Sequence, residues 1–326
     1  MSIPGKLVTN GVYEFSYMRP VDTRTKWQKF KDGIYNRKEN TLFGHTKYEW
    51  GRTGLFYLVF FSVLAAFFAI CMKGLLATLN EDKPRWILEN SIIGTSPGMG
   101  FRPISNDLKD EMVISYDTKN SSDINIWIQK LDLFLSSYHN SSLLLDDGRN
   151  QQICNYDALP HQNKVCMFDV DTLGPCSYGQ GYGFATGKPC VFLKLNKIFS
   201  WIPKLYDDPQ KLPTKMPERL KQHIQNTDIN KMKNIWVSCK SLNQPGNSTL
   251  NEIIDYYPKI QGFPGYFYPY ENQPGYLSPL IAVQFTNFRK NAVIEIECQA
   301  WAKNIKDEDD ADGKAYRVRF SLKIIV

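Results

Sequence analysis

Gly54-Leu-Phe-Tyr-Leu-Val-Phe-Phe-Ser-Val-Leu-Ala-Ala-Phe-Phe-Ala-Ile-Cys-Met72 runs for 19 residues without a charge. At ~1.5 Å rise per residue it reaches about 28 Å, close to the ~30 Å hydrocarbon core of a bilayer. A soluble helix rarely carries so long an uncharged stretch, so the run reads as a membrane-spanning helix. Lys73 interrupts it and can snorkel to the interface, and Gly74 to Leu79 is apolar again. Fifty-three residues precede the run and no small-residue cleavage site follows closely. That points to an uncleaved signal anchor. The expected division is a cytoplasmic segment at 1–53, the span at 54–79, a stalk and loop at 80–118, and an extracellular domain at 119–326.

Across all 326 residues the chain is 43% apolar and 13% aromatic, the composition of an ordinary globular chain. That composition excludes a disordered chain, and a mean hydropathy of −0.37 excludes a multi-pass one. Residues 1–53 hold ten Lys/Arg against five Asp/Glu, so +5 of the net +6 lies before the span. The bias places the N-terminus in the cytosol. Beyond the span, basic and acidic residues nearly balance and are dispersed, so nucleic acid is not an expected partner.

Chemistry points to the same orientation. Cys154, Cys166, Cys176, Cys190, Cys239 and Cys298 all follow the span, as do the acceptor triplets at Asn120, Asn140 and Asn247. Residues 1–53 contain neither cysteine nor acceptor. Disulfides and N-glycans both belong to the secretory lumen. Six cysteines allow 15 pairings. Cys71 lies in the span and reads as a small apolar filler.

Ile124, Trp127, Leu131, Phe134 and Tyr138 recur at helical spacing, with Ser122 placed to cap. Val191 to Leu195, Ile235 to Cys239 and Leu280 to Phe285 read as strands, and a short helix is expected at 217–225. Ile294 to Ala300 and Tyr316 to Ile324 alternate with polar residues, the period of half-buried strands with one wet face. Asp307 to Gly313 is the expected turn between them. Cys239 and Cys298 share parity with the apolar residues of their strands, so both thiols face the core. A bridge between them would cross a sandwich. The expected fold is a single transmembrane helix plus a mainly-β extracellular domain: an immunoglobulin-like β-sandwich with an added amphipathic helix.

Motifs for catalysis are weak. Gly94-Thr-Ser96-Pro-Gly98 matches a nucleophile elbow, but in a Gly/Pro-rich stretch without the strand and helix that the elbow needs. Asp169-Val-Asp171 raises a lumenal, metal-dependent glycosyltransferase, against the simpler reading of a solvated turn. Glu308 to Gly313 resembles half of an EF-hand loop, with Arg319 where its bidentate Glu would stand. His45, His139, His161 and His223 have no metal-ligand spacing. Gly179, Gly181, Gly183 and Gly187 do not form a dinucleotide fingerprint. No catalytic residue, metal, cofactor or small-molecule substrate is expected.

The span carries more pattern than lipid anchoring needs. Tyr57, Phe61, Leu64 and Phe68 follow 4-3-4 spacing and form one stripe, while Ser62, Ala66 and Ala69 lie on another face. Small residues admit a neighbouring helix. The stripe reads as a contact for a partner's helix bundle.

Several blocks together resemble the β-subunit family of the Na+/K+- and H+/K+-ATPases. They are Phe43-Gly-His45-Thr-Lys-Tyr-Glu-Trp50, with His45 where the family usually has Arg, and Phe56-Tyr57-Leu-Val-Phe60-Phe61-x-x-Leu64, with Phe61 where it has Tyr. Further on come Gly98 to Pro103, Leu173 to Ser177, Gly187 to Lys197, Tyr276 to Asn287 and Ile294 to Cys298. The resemblance implies a non-catalytic plasma-membrane subunit. Such a subunit assists folding and delivery of the catalytic α subunit and tunes its Na+ and K+ transport. It implies the bridges Cys154–Cys166, Cys176–Cys190 and Cys239–Cys298. It also implies that Tyr57 and Phe61 contact the late helices of α, and that Tyr266, Tyr268, Tyr270 and Tyr276 contact α outside the membrane. A family member devoted to cell adhesion, and the glycosyltransferase, are the competing readings.

Overall fold

The computed structural model describes residues 6–7, 13–14, 25–36, 39–80, 83–105, 112–242, 254–286, 289–305 and 316–326. The chain divides into two units, Met1–Leu79 and Asn80–Val326.

In the first unit, α1 is Lys26–Ile34 and α2 is Lys47–Leu76. Helix α2 is the one helix among the described residues long and apolar enough to cross a membrane, and none of its residues is buried. It begins seven residues before the uncharged run because a capping box stops it there. The Thr46 hydroxyl accepts from the Glu49 N–H at 3.3 Å, and a Glu49 carboxylate oxygen accepts from the Thr46 N–H at 2.7 Å. Two of the orphan donors of a helix start are thereby satisfied. Just upstream, Gly44 takes φ +78°, a conformation costly for a residue with a Cβ. The Trp50 indole donates back to the Leu42 carbonyl at 2.8 Å. The Phe43-to-Trp50 block is thus a helix-start device.

The second unit is mainly β. The strands of its two main sheets are β1 Met99–Arg102, β2 Val113–Asp117, β3 Cys190–Leu195, β4 Asn234–Ser241, β5 Ile254–Tyr257, β6 Gly262–Pro264, β7 Ile281–Phe285, β8 Val293–Trp301 and β9 Arg317–Ile325, while Gln151–Gln152 pairs parallel with Val165–Cys166 outside them. One sheet has the order β5-β7-β3-β1 and the other β6-β4-β8-β9-β2. The sheets share a core in which Phe101 of β1 stacks on Phe320 of β9 at 4.9 Å, with Phe285 of β7 at 6.2 Å from Phe320. Residues 80–118, expected as stalk and loop, supply a strand to each sheet. Met99, Phe101, Ile114 and Tyr116 are buried there. Strand β2 pairs parallel with the C-terminal β9, Ile114 opposite Leu322.

Two helices complete the unit, α3 at Ser121–His139 and α4 at Glu218–Gln225. Helix α3 buries Ile124, Trp127, Leu131 and Leu135, and Phe134 meets Phe192 of β3 at 6.4 Å. Its cap is Asn120, not Ser122: the Asn120 Oδ1 accepts from the Ser122 N–H at 3.0 Å. Helix α4 packs Leu220 and Ile224 with Trp236 and Trp301 into a second, smaller cluster.

Disulfides join Cys154 to Cys166, Cys176 to Cys190 and Cys239 to Cys298. The last does not cross between sheets, as an immunoglobulin-like sandwich would require. Strands β4 and β8 are antiparallel neighbours in one sheet, with Cys239 directly opposite Cys298. Parity gives the face of each thiol, and both are buried, but parity is silent on which strands are neighbours.

Strand alternation fails at Glu297, which falls on the expected wet face of β8 yet has a side chain 1% exposed. Lys240 Nζ lies 3.0 Å from one carboxylate oxygen, and Arg319 Nε donates to the other at 2.6 Å. Burial raises the carboxyl's pKa. The hydrogen bonds and charges of Lys240 and Arg319 outweigh burial, so the group sits below its ordinary value. A lowered folded pKa means that the folded state holds fewer protons than the unfolded chain. The stabilisation is therefore complete above the unfolded value of ~4.3 and is lost as pH falls through the folded one. Glu297→Gln is expected to lower stability by about 1–2 kcal/mol at pH 7, discounted because both cations are more than half exposed. In thermal melts the gap from the parent should close as pH drops below ~4. A pH-independent gap would assign the loss to packing.

Candidate functional site

The stripe on α2 is an aromatic plate. Tyr57 stacks on Phe61 at 6.0 Å and Phe56 on Phe60 at 6.1 Å, both across one helical turn. Edge contacts tie the two pairs, Phe56 to Tyr57 at 5.5 Å and Phe60 to Phe61 at 5.4 Å. At ~100° per residue, Tyr57, Phe61, Leu64 and Phe68 fall within about 60° of arc. All four are exposed. The rings contact one another without any partner, and contacts already made reduce the rotamer entropy lost on association. Cys71 is free and exposed.

In the second unit the four named tyrosines divide between two grooves. Tyr266, Tyr268 and Tyr276 line one of about 730 Å³, together with His161, Lys164 and Phe267. The Cys154–Cys166 bridge closes the loop that supplies its opposite wall, residues 160–166. Tyr156 steadies the floor, donating to the Asn234 Oδ1 at 2.8 Å and meeting the Tyr266 ring at 5.3 Å. Burial pushes the Tyr156 hydroxyl up to about 12, so it stays a neutral donor. Burial likewise raises Tyr268 and Tyr276 above the usual phenol range.

Tyr270 lines the second groove, about 410 Å³, with Trp86, Ile93 and Phe199. The Tyr270 and Tyr276 rings meet at 4.9 Å. Lys197 Nζ lies 5.0 Å from the first ring centroid and 5.1 Å from the second, a double cation–π contact. Burial lowers the pKa of this ammonium. Tyr276 is buried, so its ring packs the ridge between grooves and is not an open wet face. Spacing gave no signal for Lys197 or for the loop wall at His161 to Lys164. The Thr46-x-x-Glu49 signature ahead of the apolar run, by contrast, was readable and marks the start of α2.

The remaining candidates have structural roles. Asp169 caps the turn Val170–Cys176, its carboxylate accepting from the Asp171 N–H at 3.0 Å. No group of three metal-ligating side chains exists among the described residues. Ser96 lies in a bend before β1, without a preceding strand or a following helix. A Cβ on Gly183, at φ +73°, would collide with the Lys188 carbonyl, so that glycine serves a close backbone approach. Asn120 and Asn140 are exposed, each at a helix start with its Oδ1 accepting from the N–H of the serine two residues on. Asn247 and Glu308 to Gly313 lie outside the described residues.

A family profile described as "Sodium / potassium ATPase beta chain" matches residues 21–320. The chain is 42% identical over 310 residues to "Sodium/potassium-transporting ATPase subunit beta-1" of Drosophila melanogaster, covering 95% of this chain and 96% of that protein. It is 40% identical over 293 residues to subunit beta-2 of the same organism, covering 89% and 90%. It is 27% identical over 312 residues to the Homo sapiens subunit beta-2, covering 91% and 94%.

Proposed function

Because the chain belongs to the sodium/potassium ATPase β-chain family, a family of non-catalytic subunits, we propose that it assembles with the catalytic α subunit of that pump. In this role it assists α folding and delivery to the plasma membrane and modulates Na+ and K+ transport. The observation that carries the reading is the extent of the match. It takes in α2 and almost the whole disulfide-bridged unit.

The surfaces follow from this reading. The plate on α2 meets helices of α within the bilayer, and the groove lined by Tyr266, Tyr268 and Tyr276 meets its extracellular face. The N-terminus is cytoplasmic, since all three bridges lie beyond the span and the positive excess lies before it. Exposed Asn120 and Asn140 carry N-glycans. Asn120→Gln and Asn140→Gln should each remove one glycan step on a denaturing gel, and an unchanged mobility would reject that site.

Delivery tests the function itself. An α subunit expressed with this chain should reach the cell surface and raise ouabain-sensitive K+ uptake. With the chain omitted it should be retained inside the cell. Equal surface α in both conditions would overturn the assembly role.

A further inference from the structure

The segment that follows the span exposes large apolar side chains in a way the pump reading does not use. Ile92 is 107% exposed, Ile93 77% and Trp86 54%. The fold holds them outward. The chain makes a single turn at Leu88–Asn90, and the Ser91 hydroxyl then accepts from the Ile93 N–H at 3.2 Å, turning Ile92 and Ile93 into solvent. Scattered exposed residues need no account, but three within eight positions, two of them lining one groove, form a patch.

Its surroundings suit a lipid surface. Arg85 lies over the Trp86 ring at 5.3 Å and Lys83 stands two residues before that arginine, so two cations accompany an amphipathic indole, with Glu81 and Asp82 upstream and the exposed Glu89 three residues beyond the ring. Indole rings favour the headgroup level of a bilayer, and basic side chains there reach phosphates. The covalent connection limits where the patch can go. Trp86 follows the last residue of α2, Leu76, by ten positions, a tether of at most about 35 Å when fully extended. Apolar surface held that near a bilayer has a ready partition.

We propose that Trp86, Ile92 and Ile93 form a membrane-docking patch that inserts into the headgroup region of the phospholipid bilayer. Lys83 and Arg85 pair there with lipid phosphates. The inference rests on α2 being a membrane span, and its test separates the two claims.

The full chain, with its co-purified partner, is reconstituted in phosphatidylcholine vesicles and spin-labelled at single cysteines. Ile92→Cys and Ile93→Cys are made in a Cys71→Ala background. Leu145→Cys serves as reference, since Leu145 is equally exposed but sits beside Asp146 and Asp147. Collision with oxygen, which concentrates in lipid, is compared with collision with a water-soluble nickel chelate. Labels at 92 and 93 should lose nickel collision and gain oxygen collision relative to 145. Labels as open to nickel as the one at 145 would overturn the proposal. So would labels shielded from both reagents, because a protein would then cover the patch. A label on the native Cys71 reports the span alone: if it were open to nickel, the span would be wrong, and if it favoured oxygen while 92 and 93 stayed wet, only the docking patch would be.

Discussion

Cys239→Ser is expected to stop export of the chain, and to do so more completely than loss of either other bridge. The Cys239–Cys298 bridge spans a sequence separation of 59, against 12 and 14 for the others. Loop-closure entropy makes it worth about 4 kcal/mol, against about 3 kcal/mol for a short loop. It also pins the register of β4 on β8 at the centre of the larger sheet. Serine adds a second cost, because a hydroxyl and a free thiol would be left in a buried site. A domain of ordinary stability holds only ~5–15 kcal/mol in reserve, so the combined loss brings much of it to the unfolding threshold. The expected result is retention in the endoplasmic reticulum with immature glycans. Cys154→Ser should reach the surface in larger amount. Normal delivery of the Cys239→Ser chain would refute the central placement of this bridge.

Tyr57→Ala combined with Phe61→Ala is expected to weaken association with the α subunit without affecting membrane insertion. Lipid tails are as apolar as the rings, so burial area gives no net drive inside a bilayer. What the partner gains is close packing against a pre-stacked pair, worth about 1 kcal/mol per ring. Losing both should cost ~2 kcal/mol, roughly thirtyfold in the association constant. Insertion survives because every other residue of the uncharged run remains. Val59→Ala with Val63→Ala, on a different face of α2, is the control and should change little. The readout is the fraction of α retained on a tagged chain through detergent washes. Equal retention for both pairs would argue against the plate as the contact.

Legibility in the sequence followed the length of each pattern. Nineteen uncharged residues declared the span, and alternation from Tyr316 to Ile324 declared β9, whose Val318, Phe320, Leu322 and Ile324 are buried. Strands β1 and β2 escaped because each offers only two inward residues, Met99 with Phe101 and Ile114 with Tyr116, between turn-forming neighbours. Two periods cannot be told from chance. The pairing of β2 with β9 joins chain some two hundred residues apart, and nothing local encodes it. The in-sheet position of Cys239 opposite Cys298 was hidden for the same reason. At Glu297 the alternation misled because cations on the two neighbouring strands, Lys240 and Arg319, close over a carboxylate that would otherwise be wet. The tyrosine-rich segment was visible as composition. Its division between two grooves depends on Lys197 and on the loop closed by Cys154–Cys166, both distant in sequence.

The most direct test of the account is purification of the tagged full-length chain from native membranes in mild detergent, with mass-spectrometric identification of what accompanies it. A P-type ATPase α subunit in one-to-one stoichiometry is the predicted result. A chain that is correctly folded, disulfide-bridged and at the plasma membrane, yet purifies without any α subunit, would contradict it.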